Sequence, residues 1–436
     1  LMHGNLRVLV VGSGGREHAI AWRVRQDPQV EHVFVAPGNA GTDLEVGVSN
    51  VAIEADDIAG LLKFARDTHI GLTIVGPEVP LSLGIVDSFE QAGLKIFGPT
   101  RAAAELESSK AFCKAFLKEH AIPTAQHEVF NDLNSALAYV RREGAPIVIK
   151  ADGLAAGKGV VVAMNLAEAE AALVDMFSGS LGSAGARVVV ESFLRGEELS
   201  YIVVAAGEQF VPLSSAQDHK RVGDGDVGPN TGGMGAYSPA PILNFALEAR
   251  IQAEVIAPTL RAMAARGTPF TGFLYAGLMI QADGAPMVLE FNTRLGDPET
   301  QPLMMRLTSS LSALLLSALD GSLPSAVLKW DARTALAVVM AAEGYPGAVR
   351  KHDIIHGLDQ PMVEVKVFHA GTVRDGNCVR SSGGRVLAVC ALGDSVQTAQ
   401  SKAYAGVQQI HWQGCFYRRD IGWRAIQHGI QLGARS

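Results

Sequence analysis

Cysteine is scarce in this chain, and what there is stands apart. The 436 residues contain four, Cys113, Cys378, Cys390 and Cys415, with no CxxC pair among them. That spacing excludes a zinc ribbon and a disulfide scaffold, and it fits reduced thiols in a reducing compartment. Aromatic residues make up 6% and charged residues 19%, and the formal net charge is −7. An acidic balance argues against general nucleic-acid binding, but it leaves room for a local basic site that takes a phosphorylated small molecule. No signal-peptide pattern opens the sequence, and no uninterrupted apolar run reaches transmembrane length. The expectation is a cytoplasmic protein with neither a membrane nor a nucleic-acid partner.

Two motifs also lack a part. Gly157-Lys158 would end a Walker A loop, but Gly159 stands where the magnesium-binding Ser or Thr belongs. β-formers follow in place of the Walker helix. GSGGREHA, Gly12–Ala19, follows an apolar run as a dinucleotide fingerprint does, but Glu17 replaces its third glycine. The second strand runs into Ala36-Pro37-Gly38-Asn39 rather than the acid that would hold a ribose. A nicotinamide-dependent oxidoreductase therefore fails on both checks.

What is present is a soluble α/β composition, 48% hydrophobic with 47 glycines. The length implies two to four domains. From Arg7 to about Thr100, short apolar strands alternate with helical stretches, and RVLVVG, LTIVGPE and LKIFGPT each end at a glycine turn. This pattern predicts a parallel sheet with ligands at its carboxyl end. Residues 101–123 read as helical, stopped by Pro123. A small, mostly antiparallel α+β unit follows, with the glycine loop as a hairpin. Trp330–Asp331 marks a boundary before a third compact region containing RVLAVCAL and a helix.

Five stretches carry candidate chemistry. In GSGGREHA, the helix N-terminus offers amides to a phosphate or carboxylate; the alternative is a plain strand–helix turn. In KADGLAAGKGVVV, Lys150–Val162, glycines let amides approach phosphate oxygens while Lys150 and Lys158 supply charge. Lys110, on the preceding helix, is a possible third cation, and the alternative is a surface hairpin. In VVVESFLRGEELS, Val188–Ser200, strand-edge backbone groups around Glu191 and the apolar Phe193-Leu194 suit an adenine ring, and an acid beyond them suits ribose hydroxyls. An edge strand with an acidic turn is the competing reading. In PMVLEFNTRLGDPETQP, 286–302, strict alternation sends Met287, Leu289 and Phe291 one way and Val288, Glu290 and Asn292 the other. Glu290 and Asn292 then offer hard oxygen ligands, and Arg294 offers a fork for an anion. The fifth, 215–239, reads as a long polar loop with Asp218, His219, Lys220, Arg221 and Asn230. His219 could serve as a base, but a packing histidine is the better reading.

Taken in order, GSGGREHA, FVAPGNAGT, TIVGPE, KADGLAAGKGVVV, QDHKRVGD, GPNTGGMGAYSP, GFLYAGLM and LEFNTRLGDPETQ resemble the ATP-grasp ligases. More narrowly, they resemble the phosphoribosylamine–glycine ligase, or glycinamide ribonucleotide synthetase, family. HAGT and GGRVL add to the likeness, which runs from Arg7 to about Ile426. The resemblance implies an N-terminal Rossmann-like domain (6–106), an ATP-grasp domain (107–328, lid subdomain about 124–193) and a C-terminal α/β domain (329–436). It implies ATP with Mg²⁺ or Mn²⁺, the substrates glycine and 5-phosphoribosylamine, and a monomer or weak homodimer. Lys110, Lys150, Gly153, Gly157, Lys158 and Gly159 would serve the nucleotide phosphates. Glu191, Phe193 and Leu194 would meet adenine and Glu198 the ribose. Glu290 and Asn292 would hold the metal. Gly14, Gly15, Asn39, Gly41, Asp218, Lys220, Arg294 and Asp297 would serve the substrates, with Lys158, Arg294 and Asp218 closest to catalysis. Leu295 stands where the family usually has Phe, an apolar-for-apolar exchange. Asn292, where many ATP-grasp enzymes have a second glutamate, favours the narrower family. Another ATP-grasp carboxylate–amine ligase is the alternative.

Overall fold

The computed structural model describes residues 4–155 and 158–433. Its first sheet is parallel throughout, in the order Val48–Asn50, Val30–Pro37, Leu6–Gly12, Leu72–Val75, Ile96–Phe97. Val8 to Val11 are wholly buried, as strands covered on both faces require. The order reverses between Leu6–Gly12 and Leu72–Val75, so the crevice of the sheet opens beside Gly12 and Gly76.

The stretch from 101 to 123 is not one helix. Turns at 101–104 and a short helix, Glu105–Ser108, precede Lys110–Glu119. Ser109 breaks the run: it is extended, and its hydroxyl accepts the Phe112 amide as an N-cap. The cap puts Lys110 at the first turn of its helix, facing the glycine loop.

Two antiparallel sheets follow. One runs His127–Phe130, Val188–Ser192, Ile147–Ala151, Val160–Ala163, and the helices Leu133–Glu143 and Leu166–Phe177 share its core. The other runs Gln209–Pro212, Glu197–Ala206, Thr271–Ile280, Pro286–Asn292.

The segment 215–239 differs from the expected loop. Gln217–Asp218 and Gly235–Ser238 are strands of a fourth sheet, continued by Thr334–Ala341, Arg385–Gly393 and Val365–His369. Between them lies a hairpin, Arg221–Gly223 with Val227–Asn230. Glycine content suggested a loop, but Gly235–Ser238 is fully buried, and it pairs with Gln217–Asp218 on one side and with a strand beyond residue 330 on the other. The sheet of the last third is thus completed by strands from the middle of the chain. Among the described residues, no helix is long and apolar enough to cross a membrane.

Candidate functional site

Three lysines converge around the start of the glycine loop. Lys110 Nζ donates to the Gly153 carbonyl at 3.0 Å. Lys150, next to last in its strand, donates to the Leu289 carbonyl at 2.9 Å and pairs with Glu191 at 3.0 Å. Lys114, one turn along from Lys110, pairs with the other Glu191 oxygen at 3.1 Å and donates to Thr124. Glu191 is therefore a buried carboxylate between two cations. Its strand is an inner one, between His127–Phe130 and Ile147–Ala151, which corrects the edge expected from sequence. The ladder ends at Ser192, and the half-buried Phe193 and Leu194 lie outside it. The i, i+4 spacing from Lys110 was the signal that could have found Lys114. Gly153 has φ of 95°, a backbone state that favours glycine. Lys158 is exposed at the turn beyond, and Gly157 lies outside the described residues.

The strand Pro286–Asn292 departs from strict alternation. Gly277 pairs with Glu290 but Leu278 pairs with Val288, so Leu289 bulges. Val288 and Phe291 then share one buried cluster, which removes Val288 from the face it was expected to share with Glu290 and Asn292. The bulge also turns the Leu289 carbonyl toward Lys150. Burial raises the Glu290 carboxyl, but Lys220, Lys150, Lys110 and Arg294 outweigh it and hold it below the usual carboxylate range. Asn292 Oδ1 lies 3.4 Å from Arg294 Nη2. Among the described residues, no cluster of three His, Cys, Asp or Glu side chains forms a metal cage. One carboxylate and one amide oxygen fit a magnesium ion that takes its remaining ligands from phosphates and water.

Acidic groups crowd the next layer. Lys220 pairs with Glu198 at 3.1 Å, joining the expected ribose carboxylate to an expected substrate residue. Burial pushes Asp218 up, to about 8, against the pull of Lys220, and Glu299, Glu198 and Glu290 add to the rise. Glu299 accepts from the Tyr275 hydroxyl at 2.8 Å. Arg294 is held by Glu78 at 3.4 Å and Glu107 at 2.9 Å, and Glu107 also accepts the Thr293 amide at 2.8 Å. Sequence reasoning missed both carboxylates. Glu78 ends TIVGPE at a strand's carboxyl edge, a readable signal; Glu107 lies inside a helical stretch and carries none.

The turn at Gly14-Gly15 meets this layer. Arg16's amide donates to Asp297 Oδ2 at 3.2 Å, and Gln301 donates to Asp297 Oδ1 at 2.9 Å. The anion at this helix N-terminus is thus the protein's own, not the external one the sequence suggested. A Cβ on Gly15 would come within 2.6 Å of Gln301 Nε2. Asn39 caps the helix Ala40–Leu44, accepting from the Gly41 and Thr42 amides, and donates to the Ser13 and His369 carbonyls, both at 2.8 Å. Its amide is fully engaged, and a Cβ on Gly41 would strike the His18 ring at 2.5 Å. Both residues shape the turn rather than present groups to a ligand. His219 is also structural: it is buried, and its Nε2 accepts the Gly422 amide at 3.0 Å.

Three family models match the chain in succession. Phosphoribosylglycinamide synthetase, N domain, matches residues 6–107; the ATP-grasp (A) domain matches 108–300; and the C domain matches 335–424. The phosphoribosylamine--glycine ligase of Vibrio vulnificus (strain YJ016) is 59% identical over 423 residues, covering 97% of this chain and 99% of the relative. A solved structure of phosphoribosylamine--glycine ligase from Thermotoga maritima has a TM-score of 0.82 at 34% identity, covering 95% of this chain and 100% of that one. The biotin carboxylase domain of Hydrogenobacter thermophilus 2-oxoglutarate carboxylase, solved with MgADP, ADP and bicarbonate, has a TM-score of 0.72 at 13% identity. It covers 94% of this chain and 91% of that one, a likeness of fold.

Proposed function

The chain belongs to the phosphoribosylglycinamide synthetase family, and from that premise we propose how its residues join glycine to 5-phospho-D-ribosylamine at the expense of ATP. The products are N1-(5-phospho-D-ribosyl)glycinamide, ADP and phosphate, the second step of de novo purine synthesis. A carboxylate is a poor electrophile, and transfer of a phosphoryl group to glycine supplies the leaving group that the amine then displaces. The observation that carries this reading is the gathering of cations at the glycine loop and the Pro286–Asn292 strand: Lys110 on the Gly153 carbonyl, Lys150 on the Leu289 carbonyl and Arg294 at Asn292, with Lys220 also acting to keep Glu290 ionised. Such an array binds and orients a polyphosphate and stabilises charge on a transferring phosphoryl group.

Lys110 and Lys150 hold the nucleotide phosphates, and the loop from Gly153 to Gly159 covers them and keeps water from the acyl phosphate. Lys158 reaches the phosphates from that loop. The backbone at Glu191, Phe193 and Leu194 receives adenine, and Glu198 receives the ribose. Glu290 and Asn292 would hold Mg²⁺ or Mn²⁺, which would supply positive charge to offset that of the phosphates. Arg294 meets the glycine carboxylate, and the acidic surroundings of Asp218 suit its ammonium. Gly14, Gly15 and Asp297 line the phosphoribosylamine end.

Residues 6–106 present the amine substrate, 107–328 the nucleotide, with about 124–193 as the cover, and 329–436 close the site. The enzyme works in the cytoplasm as a monomer or weak homodimer, which gel filtration would read. ADP release should require glycine and phosphoribosylamine together. Full turnover with bicarbonate, or with another amino acid and no phosphoribosylamine, would overturn the assignment.

A further inference from the structure

Glu17 stands where a dinucleotide fold needs glycine, and the structure shows what fills that space. Its side chain is 2% exposed and wedged between the ends of two strands. A Cβ on Gly12 or Gly76 would fall 2.2 or 2.4 Å from Glu17 Oε1. That oxygen is engaged by Arg16 Nη2 at 3.0 Å. Oε2 is buried without a hydrogen-bond partner. It points at Gly14, lying 3.1 Å from where a Cβ would stand, and Asp297 Oδ2 lies 3.3 Å from the same point. Two carboxylate oxygens thus converge on one small space, at the crevice where a parallel sheet takes its ligand. Burial raises Asp297, but Arg385 and Arg16 hold it below the usual range, so it adds negative charge there.

Such a pair repels a phosphate and accepts hydrogen bonds. Resting on the function proposed above, we infer that Glu17 Oε2 and Asp297 Oδ2 accept the vicinal ribose hydroxyls of the phosphoribosyl substrate, and that its phosphate lies away from this helix N-terminus. Glu17 is then a specificity residue. Gly14 is glycine to leave the hydroxyls room, since its φ of −92° suits any residue.

The test is binding of glycinamide ribonucleotide and of an analogue lacking one ribose hydroxyl, by calorimetry. The wild-type protein should bind the analogue about ten- to a hundredfold more weakly, the usual effect of losing a hydrogen bond to a charged group. In Glu17→Gln that penalty should shrink while product affinity falls. Gly14→Ala fills the space without straining the backbone, with its methyl 3.1 and 3.3 Å from the two oxygens, so it should lose product affinity while keeping its thermal shift with MgATP. An equal affinity of the wild type for both compounds would overturn the inference. So would an undiminished penalty in Glu17→Gln, or unchanged product binding in Gly14→Ala. A wild type that binds no product and releases no ADP would instead refute the proposed function.

Discussion

Glu290 shows how a single side chain depends on its neighbours. Lys220, Lys150, Lys110 and Arg294 outweigh its burial and hold it ionised. Glu290→Ala should lower kcat by about a hundredfold or more, the scale on which a preorganised charge-stabilising group acts. ADP release and the thermal shift given by MgATP would read it; an active variant would place the metal elsewhere. Lys158 is the opposite case. It is exposed, so Lys158→Ala should leave the melting temperature unchanged, lower kcat and spare nucleotide affinity. A kcat equal to wild type would reduce the glycine loop to a plain hairpin. Both residues were legible as charge in special surroundings, a strand-end acid and a lysine among glycines. Lys114 and Glu78 carried only a weak signal, the i, i+4 spacing from Lys110 and a place at a strand's carboxyl edge, and Glu107 carried none, because an ionic partner distant in sequence leaves no local mark.

Among the elements, the segment 221–230 is held from a distance. Arg418, fully buried, donates to Asp226 at 2.9 Å, to both Asp420 oxygens at 2.8 and 2.7 Å and to the Arg221 carbonyl at 3.2 Å. Arg424 adds a second cation to Asp226, and Asp224 accepts the Arg419 amide. The clamp fixes the strand that ends at Asp218 and the turn that carries Lys220. Removing one partner of a buried ion pair costs about 3–5 kcal/mol. Arg418→Ala should therefore melt several degrees lower, and its kcat should fall at temperatures where it is still folded. An unchanged melting curve would show that the hairpin holds itself. Neither the clamp nor the strands at 217–218 and 235–238 could be read from glycine-rich sequence, because Arg418 and the strand that pairs with 235–238 lie beyond residue 330, and 217–218 is held in the sheet only through 235–238.

Across the whole molecule, one apolar cluster joins the first sheet to the last third. Val8 and Val10, Leu303 and Leu311, and Ala335 and Ala388 belong to it. Beside it, His18 bridges the same regions as a neutral ring: its Nδ1 accepts the His369 amide at 2.8 Å and its Nε2 faces Glu45 at 2.9 Å. Burial, chiefly, lowers His18, and it lowers His369 to about 3. Glu45 is held at about 2 because hydrogen bonds and charge from His18 and Lys366 outweigh its burial. A histidine lowered on folding binds fewer protons folded than unfolded below about pH 6.5, so stability falls as the pH falls. For His369 the loss between pH 6.5 and 5 should be about 2 kcal/mol. Glu45 has the same sign, but its contribution is lost only below about 4.5, as the pH falls toward 2. Asp218, raised on folding, works oppositely, so the readout is the difference between wild type and His369→Gln in denaturant midpoint across pH 5–7. Parallel profiles would rule His369 out.

The sequence by itself determined the parallel first sheet, the glycine-loop hairpin and the family, because each rests on periodicity or on residue types at short spacing. Only the tertiary structure decided where polar groups find partners. It placed Asp297 on a helix N-terminus expected to take a phosphate, put Glu191 between two lysines on an inner strand, and bulged the strand of Glu290 and Asn292 at Leu289. It also completed the last sheet with strands from 217–238. Backbone preference is local and shows in a short window of sequence. Ion pairs, helix-end partners and sheet neighbours are set by which segments meet in space, and those segments lie far apart along the chain.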